Sequence, residues 1–247
     1  IGIFVIVLII TAVRIKSMDS HRISGRILAE NIAGPGMLRL VEQSMQARAR
    51  KTSVTEIAVK ERKHPQAALT FDDGPDIRYT PLLLDGLKER NVRVSFFLLG
   101  EKVEQYPELV ERMQKEGHLV GNHTYHHVQL NKLNETKARE EILKTNNLIY
   151  ETTGVYPLYL RPPFGAWKKN LELCVEMLPV FWTIDTLDWK VQNTEKIVRT
   201  VQEQIEDGAI ILMHDEYDTS VEAALQVADE LKNQGYELVT VDQLILP

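Results

Sequence analysis

From Ala67 onward the chain alternates short apolar runs with longer amphipathic ones, and this rhythm restricts the fold more than any other feature. Ala67-Ala68-Leu69, Val94–Leu99, Leu119–Gly121, Leu158–Leu160, Val180–Ile184 and Ala209–Met213 read as strands. Helical patterns near Pro81–Glu89, Glu108–Glu116 and Thr136–Thr152 separate them, with Gly117, Gly154, Gly208 and Gly235 placed where helices stop. Repeated βα units predict parallel strands, and hence an α/β fold in which the strands end together on one edge. Periodicity alone leaves an open doubly wound sheet and a closed barrel equally open.

Polar residues collect at those strand ends. The first run leads into Thr70-Phe71-Asp72-Asp73-Gly74-Pro75, two adjacent carboxylates followed by a turn signal. Neighbouring residues at a strand end point in different directions, so Asp72 and Asp73 are suited to different tasks: one can bind a metal while the other faces substrate or water. On its own, Asp-Asp-Gly also makes a surface turn.

His123-Thr124-Tyr125-His126-His127 follows the third run. His123 and His127 stand at i and i+4, which on a helical turn places both rings on one face, about 5–6 Å apart at Cβ. With Asp73 they form a two-histidine, one-carboxylate set that leaves a metal position open, as in catalytic zinc sites. Thr124 is placed to orient a ligand, and His126 falls off the shared face. Asn122-His123-Thr124 is a formal glycosylation sequon, but a glycan there would block the metal position.

Three more segments follow apolar runs: Arg161-Pro162-Pro163-Phe164-Gly165, Asp185-Thr186-Leu187-Asp188-Trp189 and Leu212-Met213-His214-Asp215. Singly, Arg161 reads as an ion-pair partner, Asp188 as a helix cap and His214 as a core histidine; together and in this order they point to one mouth. In sequence the five segments resemble the five motifs of the polysaccharide deacetylases, the NodB homology domain of carbohydrate esterase family four, and most of all its membrane-anchored peptidoglycan N-acetylglucosamine deacetylases. The resemblance covers Ala67 onward and implies a distorted (β/α) barrel of about seven parallel strands. It further implies that Asp73, His123 and His127 bind the metal, Asp72 is the catalytic base and His214 the catalytic acid. Arg161 is implied to tune Asp72, and Asp188 to tune His214. The Phe164 amide is implied to hold an oxyanion, with Trp189 and Leu212 lining the acetyl pocket. Many members carry tyrosine at the Phe164 position, a difference without effect where only the amide acts. The implied reaction is metal-dependent removal of N-acetyl groups from an acetylated amino-sugar polysaccharide. Zn²⁺ is the expected ion, with Co²⁺ and other divalent ions as alternatives. Chitooligosaccharide, xylan and exopolysaccharide are alternative substrates. A non-catalytic carbohydrate-binding relative is the alternative of a different class, yet no polar motif member is missing.

The 247 residues, 44% of them hydrophobic, suffice for one sizeable core. A formal net charge of −6, with no clustering of basic and aromatic residues, gives no support for nucleic acid as a partner, and none is expected. The single cysteine, Cys174, has no internal disulfide partner and reads as a core thiol in a helical stretch. Residues 1–15 contain the apolar run Ile1–Val13, expected to be a truncated membrane anchor or signal segment. Arg14, Lys16, Arg22 and Arg26 follow it, a flank that favours the cytoplasmic side, whereas the absence of a clear small-x-small cleavage site favours an uncleaved anchor. Residues 16–63, with Leu38, Leu40, Val41 and Met45 near helical spacing, are expected to form a juxtamembrane helical stalk, and 64–247 the catalytic domain. The expected location is the cell membrane, single-pass with an extracellular catalytic domain, or secreted if the segment is cleaved.

Overall fold

The computed structural model describes residues 63–167 and 177–245. The apolar run at 1–13, the expected stalk at 16–63 except for its last residue, and Cys174 therefore lie outside the described residues. No helix among the described residues is long and apolar enough to cross a membrane.

In chain order the elements are β1 (Gln66–Asp72), α1 (Tyr79–Glu89), β2 (Ser95–Leu98), α2 (Gly100–Gln105), α3 (Pro107–Lys115), β3 (Leu119–Asn122), α4 (Glu135–Thr153), β4 (Tyr159–Leu160) and β5 (Leu178–Pro179). They continue with β6 (Ile184–Asp185), α5 (Asp188–Val191), α6 (Thr194–Gln204), β7 (Ala209–His214), α7 (Asp218–Asn233), β8 (Glu237–Leu238) and α8 (Val241–Ile245). Every ladder is parallel, as the βα rhythm predicts. The sheet runs β5-β4-β3-β2-β1-β7-β6, and β8 pairs with the start of β1. No ladder among the described residues joins β5 to β6, so the seven-strand path is a curled half-barrel, open on that side. Of Val180–Ile184, expected as one strand, residues 180–183 are an irregular link between β5 and β6 and only Ile184 lies in a strand, as the first residue of β6. Leu178 N–H and Val180 N–H donate to Leu158 O and Leu160 O of β4, so the N–H that Pro179 lacks would have faced the other side of β5, where it leaves the strand without a donor.

Alternation along β1 divides the core. Ala67, Leu69 and Phe71 pack outward with Leu83, Leu87, Val227 and Leu231 from α1 and α7, in the larger apolar cluster. Ala68 faces inward with Phe97, Tyr159, Val180 and Val241. Thr70 and Asp72, next on the inward side, are buried too, so β1 is covered on both faces as parallel strands usually are. Asparagine caps set two of the helices: Asn134 Oδ1 accepts from Lys137 N at 2.9 Å and Asn193 Oδ1 from Lys196 N at 2.9 Å. Gly154 ends α4 with φ 72°, a backbone region open to glycine at little cost.

Candidate active site

Parallel pairing places the strand C-termini on one edge, and register fixes what meets there. Asp72 and His214 are direct partners across β1 and β7, and Asn122, next to His123, pairs with Leu160, next to Arg161.

Asp73 leaves β1 with φ 70°, which turns its carboxylate away from that of Asp72. Its Oδ1 is buried without a hydrogen-bond partner and lies 3.4 Å from His123 Nε2 and 3.5 Å from His127 Nε2. The three ligand atoms are all within 4.8 Å of one another. His123 Nδ1 lies 2.6 Å from Arg161 O; because a carbonyl only accepts, the ring proton is on Nδ1 and the Nε2 lone pair faces Asp73. Burial pushes His123 down to about 3, against the opposing pull of Asp73, so the ring is neutral near pH 7. Two imidazole nitrogens and an orphaned carboxylate oxygen fit a divalent cation of the borderline class.

The histidines do not converge through a helical turn. Residues 123–127 form a loop in which Thr124 (φ 69°) and His127 (φ 54°) are left-handed, and the two rings stand 5.0 Å apart. A β-branched threonine carries no sequence signal for that conformation, so the i, i+4 spacing leads to the right pair by the wrong geometry. Among the described residues seven non-glycine residues have positive φ, and five of them, Asp73, Thr124, His127, Phe164 and Leu187, sit in the motif segments. Each costs about 1–3 kcal/mol, a concentration of strain typical of functional sites.

Arg161 is fully buried. Its Nη1 donates to Asp72 Oδ1 at 2.8 Å and to Thr70 Oγ1 at 2.7 Å, while its guanidinium carbon lies 4.2 Å from the centre of the Phe97 ring. Arg161, implied by the resemblance to tune Asp72, does pull it toward the ionised form. Burial nevertheless outweighs it, leaving the Asp72 carboxyl above the usual carboxylate range. Asp72 Oδ2 lies 3.7 Å from His123 Nε2, beside the donor set.

His214 and Asp188 meet as expected. Nδ1 of His214 is 2.8 Å from Asp188 Oδ1, and the His214 backbone N–H donates to Asp188 Oδ2 at 2.7 Å. Burial alone would lower the imidazole, but the hydrogen bond and charge of Asp188, with help from Asp72 and Asp73, lift it to about 9. Its Nε2 points to the same centre, 3.8 Å from Asp73 Oδ2.

Asp72, Asp73, His123, His127 and His214 line a cleft of about 520 Å³ with Phe164, Trp189 and Leu212, the three residues implied by the resemblance as substrate contacts, while Arg161 and Asp188 lie behind its wall. Phe164 is 62% exposed and Trp189 50%, so both rings form an apolar rim, whereas Leu212 is buried in the wall. Phe164 packs on the His127 ring at 4.5 Å between centroids. Trp182, Glu216 and Tyr217 also line the cleft and escaped sequence reasoning, since Trp182 lies in a presumed strand and the other two follow the last motif. Asp215 was missed as well. It is fully buried behind Gly74, accepts a hydrogen bond from Thr80 Oγ1, and burial raises it to about 7 despite Thr80 and nearby Lys102.

Known proteins bear on this arrangement at three levels. Residues 59–181 match the polysaccharide deacetylase family model. The peptidoglycan-N-acetylglucosamine deacetylase of Bacillus cereus is 40% identical over 186 residues, 72% of this chain and 68% of the relative. The peptidoglycan-N-acetylglucosamine deacetylase PgdA of Listeria monocytogenes is 42% identical over 185 residues, 75% of this chain. This chain spans only 40% of the length of PgdA. The structure of peptidoglycan deacetylase PdaC from Bacillus subtilis superposes with a TM-score of 0.72 at 42% identity, covering 74% of this chain and 91% of that one. On the family match and on 40% identity to a relative of which this chain covers 68%, the chain belongs to the polysaccharide deacetylase family.

Proposed function

We propose that this protein hydrolyses the N-acetyl group of N-acetylglucosamine residues in a cell-wall polysaccharide, peptidoglycan. The observation that carries the reading is one cleft holding the Asp73, His123, His127 donor set, a separate carboxylate and a histidine kept cationic. A divalent ion at the donor set, for which zinc is proposed, supplies Lewis acidity toward an acetamide carbonyl and lowers the pKa of water.

Asp72 is assigned as the base. Arg161 holds its Oδ1 in place, leaving Oδ2 toward the donor set to take the proton of the attacking water. Its raised proton affinity makes it a stronger base than an exposed aspartate. His214 is the acid: at about 9 it is protonated near pH 7, its Nδ1–H is committed to Asp188, and Nε2–H is free to protonate the leaving amine. The Phe164 amide is assigned to the oxyanion, with Trp189 and Leu212 placing the acetyl group.

The relatives named for peptidoglycan deacetylation favour that polymer over xylan or an exopolysaccharide. Residues 1–15 are proposed as an anchor or signal segment, 16–63 as a stalk and 64–247 as the catalytic domain, the first on the strength of the apolar run at 1–13. That organisation puts the catalytic domain outside the cell membrane, beside its polymer, whether the segment is kept as an anchor or cleaved.

Acetate release from N-acetylglucosamine oligomers and peptidoglycan, compared with acetylated xylan at equal zinc, tests the reading. Acetate from the amino-sugar polymers supports it. Acetate from xylan alone, or from none, refutes it.

A further inference from the structure

The loop carrying the two histidine ligands has no regular structure to hold it, yet two of its residues stand in left-handed backbone. Two backbone bonds from the start of α2, Gly100 N–H to Thr124 O at 2.9 Å and Glu101 N–H to Tyr125 O at 3.3 Å, hold its carbonyls, while side chains hold its N–H groups. Asn122 Oδ1 accepts from Thr124 N–H at 2.6 Å and fixes the first turn. The second turn is fixed from outside the motifs by α4. Glu141 Oε2 accepts from Tyr125 N–H at 3.1 Å and from His126 N–H at 2.9 Å, and Oε1 lies 2.8 Å from His126 Nδ1.

Three contacts thus bind one carboxylate to the two residues immediately before His127. Glu141 borders the buried stripe Ala138, Ile142 and Thr145 of α4, and its side chain is only 16% exposed. The helix therefore gives the carboxylate a fixed origin. His126, set aside as a bystander in the sequence, is what the clamp holds: its ring turns out to Glu141 while the ring of the next residue turns in to Asp73.

We propose that Glu141 is a positioning residue for metal binding, holding the 125–126 backbone so that His127 reaches the centre shared with Asp73 and His123. It touches neither the ion nor the substrate. The inference rests on the donor set assigned above, but concerns a residue outside the five motifs.

Two physical accounts of Glu141 diverge on substitution. If hydrogen-bond geometry matters, Glu141→Gln preserves the function, because one amide oxygen can take both backbone N–H groups where Oε2 now does. Glu141→Asp keeps the charge but withdraws the acceptor by one methylene, and Glu141→Ala removes it. If only negative charge near the ion matters, the order reverses and Asp is the neutral change.

The test is zinc affinity of the chelator-stripped protein, read by competition with a chromogenic chelator, with thermal unfolding of the zinc-free forms alongside. Glu140→Ala on the exposed side of α4 is the control. Glu141→Ala and Glu141→Asp are expected to bind zinc about 10–100-fold more weakly, with Glu141→Gln and Glu140→Ala within about threefold of the wild type. Should Glu141→Ala fail to fold by circular dichroism, the Asp and Gln pair decides the matter. Affinity unchanged in Glu141→Asp, or lost equally in Glu141→Gln, overturns the proposal. Wild-type protein that binds no zinc refutes the donor set itself, a different outcome from wild-type binding that the Glu141 variants share.

Discussion

Replacing Asp188 by Asn removes the charge that holds His214 protonated and also mismatches its hydrogen bonds. In the structure both groups that face Asp188, the His214 backbone N–H and Nδ1–H, are donors. A carboxylate offers each an acceptor; an amide offers one oxygen and turns its NH₂ on the other. Burial, the largest influence on His214, then acts with only Asp72 and Asp73 against it. Returning the imidazole from about 9 to its ordinary 6.5 is a change of about 2.5 pH units (9 − 6.5), or about 3 kcal/mol. At pH 8 the protonated fraction falls from about 0.9 to about 0.03, so turnover should drop about 30-fold through this effect alone. The assay is acetate release against pH for both proteins. Because His214 lies near the donor set, a bound cation lowers its pKa in both proteins, so the separation of the alkaline limbs is the quantity to read. An Asp188→Asn alkaline limb within about half a pH unit of the wild type refutes the assignment, and the leaving amine then takes its proton from elsewhere.

Arg161→Met leaves Asp72 buried without its cation; it should cost about 3–5 kcal/mol in urea unfolding at pH 8 and move the acid limb of activity to higher pH, because the carboxyl is then held still further above its usual range. Asp72→Asn should retain zinc and lose most turnover, whereas His127→Ala should lose both, as metal analysis beside acetate release would read. Asp215 has a folded-state value of about 7 against 3.8, so it favours the native state below 3.8 and that contribution fades as pH rises through 7. Asp215→Asn should therefore raise the unfolding temperature more at pH 8 than at pH 5, with a gain bounded by about 4 kcal/mol.

The parts of this molecule most legible in its sequence are those where local pattern and tertiary role agree. β1, β2, β3 and β7 are buried on both faces and read as short apolar runs, and their polar ends name the cluster because parallel pairing must bring them to one edge. Whether the sheet closes depends on β5 and β6, two-residue strands with hardly any pattern to read. The backbone of the histidine loop was hidden because its left-handed residues are Thr124 and His127 rather than glycine. Glu141 and Asp215 act through geometry established only on folding: one bridges from α4 to the loop, and the other fills the space where a Gly74 Cβ would come within 2.6 Å of its Oδ1. Arg161 was legible as a partner of Asp72, but not the balance in which burial outweighs its charge.

The central claim is that one divalent ion at Asp73, His123 and His127 is required for amide hydrolysis in this cleft. Its most direct test is acetate release from an N-acetylglucosamine oligomer by chelator-stripped protein as zinc is added back. The account predicts silence without metal and activity that rises to a plateau at one equivalent. Full activity in the stripped protein, or stoichiometric zinc uptake without acetate, would contradict it.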